Sequence, residues 1–352
     1  MDKTDRLRDY GLAFLLYEQG LGVCGYELIR ELFIFVKLIL NSYLYDPNSK
    51  PIGEGAMGTV YLGFSQESNE RVAIKRIKDR YANNIKIRER AKQEATLSLS
   101  HPNLVEMKGL CECAPNEGPM FILSGYIAGI TIETHVKEQL NNLPQNDRLE
   151  KIVSEICCVL DALQYLHSNG VVHRDVKPSN IMIENGSVVK LMDLGIARLN
   201  GGNKYSSFGF IGTPQYASPE QIARKTEKDE ITYRADIYAT GVTLYELITG
   251  TNPFKTVVDA EVLSRQMTMK LPYNNKLPRT IYNVILKATE KAPESRYQSA
   301  TEFKYALMEA YHNRNRKSIV DTIRNPKVIL LLVFIMILIL VITYIIYYGH
   351  TY

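Results

Sequence analysis

Eight consecutive residues, His173-Arg-Asp175-Val-Lys177-Pro-Ser-Asn180, constrain this chain more than any other stretch. They set a carboxylate, an ammonium and an amide in one short segment. Asp175 can accept a proton from a hydroxyl, Lys177 can sit against a transferred phosphoryl group, and Asn180 can hold a metal ion through its amide oxygen. Thirteen residues after Asn180 comes Asp193-Leu-Gly195, whose carboxylate can take Mg²⁺ bridging phosphates. Taken alone, the octamer reads equally well as a solvated polar loop.

Two motifs upstream narrow the choice. Gly53-Glu-Gly55-Ala-Met-Gly58-Thr-Val60 fits G-x-G-x-x-G-x-V. Glycine lets the backbone come close to phosphates and present its N–H groups, although a Gly-rich hairpin is also simply a tight turn. A dinucleotide-binding reading needs a strand before and a helix after; the strand-like run 60–62 that follows disfavours it. Val72-Ala-Ile-Lys75 closes an apolar strand with a lysine. An ammonium there is costly without a partner, and a phosphate plus a carboxylate would supply one. A strand-end lysine facing solvent is the plain alternative. All the motifs in this order are hard to assign to coincidence.

From about Asp46 onward the texture is one of short β-branched runs and glycines, with strands expected at 60–62 and 72–75 and a helix at 86–99. Beyond Thr131 helical patterns dominate, 149–167 being the longest amphipathic example. Hydrophobic residues make up 45% of the chain and charged residues 23%, enough for a packed core. The pattern is α+β and bilobal: a small β-rich N-lobe and a larger helical C-lobe.

On these motifs the chain resembles eukaryotic-type protein kinases, and the bacterial Ser/Thr kinases among them, over residues 46–313. The resemblance implies an N-lobe at 46–125, a C-lobe at 126–313, and ATP with Mg²⁺ in the cleft between them. By motif, it implies that Gly53, Gly55 and Gly58 cover the phosphates and that Lys75 contacts the α- and β-phosphates. Asp175 would be the base, with Lys177 beside it, and Asn180 and Asp193 would bind Mg²⁺. Ile52, Val60 and Ala73 are assigned to the same nucleotide site. Phe121-Ile-Leu-Ser124-Gly125-Tyr126-Ile127 reads as the last N-lobe strand entering the hinge. Ser124 would then be the gatekeeper beside the purine, with Gly125 and Ile127 bonding adenine through their backbones. The carboxylate expected to pair with Lys75 is Glu94, with Glu89 as the alternative on the same helix. Glu220 of Ser218-Pro-Glu220 should pair with Arg296, and Asp236 should brace the catalytic-loop backbone. Arg174 implies a phosphorylated loop within 196–211, where Tyr205, Ser206 and Ser207 carry hydroxyls and the two serines are the favoured sites. Leu194 and Val176 replace the family's usual Phe and Leu, and both keep an apolar side chain. Protein substrates carrying Ser or Thr are implied, and homodimerisation would serve trans-autophosphorylation.

The ends of the chain carry different expectations. Residues 1–45 read as a helical extension, since Leu28, Leu32, Phe33, Val36 and Leu40 recur at helical spacing within 26–40. Packing on the neighbouring domain, membrane-surface contact and dimerisation all remain open for it. Residues 328–348 contain no charge, which suits a transmembrane helix. The basic linker 314–327, with Arg314, Arg316, Lys317, Arg324 and Lys327, places everything before it on the cytoplasmic side. A formal net charge of +4 is too weak to argue for nucleic acid. Five cysteines without a framework spacing read as free thiols in a reducing compartment.

Overall fold

The computed structural model describes residues 37–39, 42–55, 57–85, 88–89, 91–92, 99–114, 117–193, 214–223, 231–314, 329–330 and 332–340. The N-terminal lobe is an antiparallel sheet. Its strands are β1 (Lys37–Ile39), β2 (Tyr43–Tyr45), β3 (Gly53–Glu54), β4 (Gly58–Ser65), β5 (Arg71–Ile77), β6 (Met107–Ala114) and β7 (Glu117–Gly125). The order is β1-β2-β4-β5-β7-β6, with β3 paired to β4. A short helix α1 (Asp79–Ala82) follows β5.

The twofold alternation of strand side chains divides this sheet into two faces. Val72 and Ile74 of β5 join Phe121, Leu123 and Cys111 in one cluster. Ala73 and Lys75 point the other way, towards the C-terminal lobe. Tyr45 of β2 completes the first cluster, with its ring 5.3 Å from Tyr61 and 5.8 Å from Phe121. The sheet therefore begins before Asp46. The helix expected over 26–40 is contradicted at residues 37–39, which form β1, paired with β2. Residues 1–36 lie outside the described residues.

The second lobe starts with β8 (Gly129–Thr131), α2 (Ile132–Thr134) and a π-helical turn at His135–Gln139. The long helix α3 (Gln145–Ser168) then buries Leu149, Ile152, Val153, Ile156, Leu160 and Leu163, the i, i+3, i+4 stripe expected of 149–167. Strands β9 (Ile181–Glu184) and β10 (Val188–Leu191) complete a three-stranded sheet with β8. They are followed by α4 (Pro219–Ala223), α5 (Arg234–Thr249), α6 (Asp259–Thr268), α7 (Arg279–Ala288) and α8 (Ala300–His312). α5 is buried on nearly every side, which makes it the axis of this lobe.

Arg296, fully buried, forks onto Glu220 at 2.7 and 2.8 Å and donates to the carbonyls of Glu290, Lys291 and Arg234. A guanidinium so enclosed needs this full set of acceptors. Of the expected C-terminal span, residues 329–330 and 332–340 are helical with their apolar side chains exposed. Among the described residues no helix is long and apolar enough to cross a membrane.

Candidate active site

Cross-strand register puts Ala73 opposite Ser124 and Lys75 opposite Ile122. These four side chains form the upper wall of a cavity of about 270 Å³ between the lobes. Ile52, Gly53 and Val60 enclose it from the Gly-rich hairpin, and Gly125, Tyr126 and Ile127 from the connecting segment. Met182, Leu191 and Asp193 close it from the C-terminal lobe. Ser124 also pairs with Met107, which lines the same cavity. Gly55 and Gly58 lie in the hairpin, off the cavity lining. Gly58 has a packing reason of its own: a Cβ there would lie 2.4 Å from the carbonyl oxygen of Arg76.

The loop 171–180 is held by one carboxylate. Asp236, on the first turn of α5 and wholly buried, accepts the N–H of His173 on Oδ2 at 2.8 Å and that of Arg174 on Oδ1 at 2.7 Å. His167, at the end of α3, adds its Nε2 to Oδ2 at 2.8 Å. Burial pushes the Asp236 carboxyl up, but His167, His173 and the Arg174 N–H together hold it below the usual carboxylate range. Arg174 adopts φ 66° between its N–H on Asp236 and its carbonyl, which accepts from Gln221 Nε2 at 3.2 Å. A non-glycine residue persists in that conformation when its surroundings over-determine it.

His173 is itself buried, and burial lowers its pKa. Its Nε2 lies 2.8 Å from the carbonyl oxygen of Met192, and its Nδ1 accepts the Asp175 N–H at 3.3 Å. A neutral ring protonated on Nε2 satisfies both contacts. The Asn180 side chain donates to the Asp175 carbonyl at 2.8 Å, and the Asn180 carbonyl accepts from Met192 N–H at 2.8 Å. Asp175 and Asn180 are thereby fastened to the residue just before Asp193. Lys177 Nζ lies 3.0 Å from Asp175 Oδ2. Lys75 Nζ lies 3.0 Å from Asp193 Oδ2, which is half exposed at the cavity edge. Asp193 has φ 50°, a second left-handed non-glycine residue at the site.

The structure thus gathers Lys75, Asp175, Lys177, Asn180 and Asp193 along one cleft edge, with Ile52, Gly53, Val60, Ala73, Ser124, Gly125 and Ile127 around the adjoining cavity. Glu94, Ser206 and Ser207 lie outside the described residues. Of the expected helix 86–99, residues 88, 89, 91 and 92 are helical and Leu99 is not, and Glu89 is exposed. His167, Gln221 and the Met192 backbone are the supports that sequence reasoning missed. His167 reads locally as the polar end of an amphipathic helix, and nothing nearby marks its link to a residue 69 positions away.

Fold and site together define a protein kinase domain. The protein kinase domain family matches residues 47–309, and the chain belongs to that family of phosphotransferases, which in general use ATP and Mg²⁺. It is 36% identical over 258 residues to a probable serine/threonine-protein kinase of Clostridium perfringens, an alignment covering 71% of this chain and 36% of the relative. It is 32% identical to the serine/threonine-protein kinase PknB of Mycobacterium tuberculosis, covering 74% of this chain and 42% of PknB. With PrkC of Bacillus subtilis the identity is 32%, covering 74% and 39%. The chain thus spans well under half the length of these curated relatives. Among solved structures, the PknI kinase domain of M. tuberculosis superposes with a TM-score of 0.59 at 25% identity, covering 76% of this chain and 96% of that one.

Proposed function

We propose that this chain transfers the γ-phosphoryl of ATP to Ser or Thr hydroxyls of proteins. The observation that carries this reading is the Asp236 brace, which fixes the backbone on the N-terminal side of Asp175 within the cleft that holds Lys75, Asn180 and Asp193. Asp175 orients the acceptor hydroxyl and takes its proton. Lys177, beside it, offsets charge on the transferred group. Lys75 reaches the cavity from β5 and holds the α- and β-phosphates. The adenine lies against Val60 and Ala73, with the Gly125 and Ile127 backbones as its partners and Ser124 behind it. Most of the catalysis is then positioning and charge neutralisation.

Asn180 and Asp193 suit Mg²⁺, since amide and carboxylate oxygens are the hard donors it prefers. The Asn180 Nδ2 is committed to the Asp175 carbonyl, which leaves Oδ1 as the ligand atom. Bound there, the metal would neutralise phosphate charge.

The same reading anchors the chain in a membrane through residues 328–348, with the kinase domain cytoplasmic. It is supported by the uncharged sequence and by the exposed apolar side chains of 329–330 and 332–340. Alkaline extraction of membranes should leave the chain in the pellet; recovery in the supernatant would refute the anchor. For the chemistry, Lys75→Met and Asp193→Asn should nearly abolish transfer. Asp175→Asn should keep ATP binding and lose turnover, by about 10²- to 10⁴-fold for a lost base. Wild-type turnover in Asp175→Asn would remove it from that role.

A further inference from the structure

The segment that borders Asp175 on the acceptor side is supported from beneath by a buried polar strut. Pro214–Tyr216 forms a 3-10 turn. The turn continues into Ser218, whose N–H bonds Gln221 Oε1 at 3.0 Å. Gln221 in turn donates to the carbonyl of Arg174, next to Asp175. Through Gln221 the segment 214–221 is tied to the loop that carries Asp175, and it borders the place where an acceptor hydroxyl would meet that carboxylate.

On its inner side this turn rests on Gln266 of α6, which is fully buried. Gln266 Nε2 donates to the carbonyls of Gln215 at 2.6 Å and Pro214 at 3.2 Å. Its Oε1 accepts the Tyr238 hydroxyl at 2.5 Å. Lys291 Nζ donates to the Tyr238 hydroxyl at 2.9 Å and to the Gln266 carbonyl at 2.7 Å. That ammonium also lies 5.0 Å from the ring of Phe254 and 5.2 Å from that of Tyr238. Every polar atom of the Gln266 side chain has its bonding direction assigned, so the amide cannot turn without breaking a partner.

We propose that Gln266, Tyr238 and Lys291 form a positioning unit for the acceptor peptide, holding the 214–216 backbone at the height at which a Ser or Thr hydroxyl meets Asp175. The proposal rests on the protein-kinase reading above. None of the three residues lines the cavity between the lobes, so their effect should fall on the acceptor and not on ATP. They act on the peptide through the turn and are not catalytic residues.

The test uses the full chain with Gln266→Leu, which keeps volume and loses the donor, and Tyr238→Phe, which keeps the ring. The double variant completes a cycle. Casein is the acceptor, and amide hydrogen exchange is followed over residues 215–217. Each single variant should raise the KM for casein by roughly 5- to 20-fold, the loss of one or two hydrogen bonds, and leave the KM for ATP within about twofold. Exchange at 215–217 should quicken by a similar factor. The double variant should be no worse than the worse single, because the bonds form one unit. Unchanged casein KM and unchanged exchange would overturn the proposal, as would a parallel rise in the KM for ATP. Where Gln266→Leu fails to fold, Tyr238→Phe decides by the same readouts. A parent that phosphorylates neither casein nor itself would count against the kinase reading, and the exchange measurement would still decide whether the strut holds the turn.

Discussion

Asp236→Asn is the substitution that tests how the catalytic loop is held. The carboxylate receives the His173 N–H and His167 on one oxygen and the Arg174 N–H on the other. An asparagine keeps one acceptor oxygen and turns an NH₂ towards the second donor. At least one charge-assisted bond disappears, worth about 1.5–3 kcal/mol, and a buried N–H is left facing a donor, at about 1–3 kcal/mol more. The sum, about 2.5–6 kcal/mol, brackets the about 3–5 kcal/mol that breaking a buried ionic contact costs, and that narrower range is the expectation. For a domain of this size it corresponds to a fall in Tm of roughly 6–20 °C. Arg174 loses part of what keeps it at φ 66°, so Asp175 shifts. A displacement of about 1 Å costs roughly 100-fold in turnover. The cavity between the lobes is lined by other residues, and the KM for ATP should move little. Because the folded carboxyl sits below the usual range, its stabilisation is present at neutral pH and is lost as pH falls through that lowered pKa. The variant should lack this acid-side component. Thermal unfolding across pH 3–7 and kcat at saturating ATP make the measurement. A Tm shift below about 2 °C with unchanged kcat would refute the reasoning.

Ser124→Met should fill the space beside Met107 and reject an N6-benzyl ATP analogue relative to the parent by roughly 5- to 150-fold in kcat/KM, an overpacking cost of about 1–3 kcal/mol, with ATP itself little affected; equal discrimination by parent and variant would remove Ser124 from the purine pocket. Arg296→Lys retains charge but not the fork onto Glu220, and should lower stability by about 2–3 kcal/mol by denaturant titration; a change under about 0.5 kcal/mol would show that the fork is dispensable. Burial pushes the Cys157 thiol up to about 11, so iodoacetamide at pH 8 should alkylate it at least about 100-fold more slowly in the folded than in the unfolded chain, read by peptide mapping. Comparable rates in the two states would contradict that burial.

The loop 173–180 and the lysine strand were legible in the sequence because each packs several constraints into a few residues. Val72-Ala-Ile-Lys75 fixes side-chain parity as soon as the strand is recognised, so Ala73 and Lys75 share a face by geometry alone. The stripe in α3 is equally local. What was not legible depends on distant chain. Residues 37–39 are apolar with one lysine, and three residues carry too little period to separate strand from helix; pairing with Tyr43–Tyr45 decides it. His167, Gln221 and Gln266 are ordinary polar residues on helices, and only the tertiary arrangement gives their amides and imidazole a target.

The contact between Lys75 and Asp193 bears on how nucleotide enters. Their charges neutralise one another across 3.0 Å. On the proposed roles, Lys75 would hold phosphate and Asp193 a cation, so binding of a metal–nucleotide complex would exchange one set of ionic partners for another. Such an exchange conserves the number of ion pairs, so added salt weakens the interactions on either side of the equilibrium together. Affinity for the complex should therefore vary with ionic strength less steeply than if a lone lysine waited in the cleft. Lys75→Met, which frees the aspartate, should give the cleft an uncompensated negative charge that favours bare cation over anionic nucleotide.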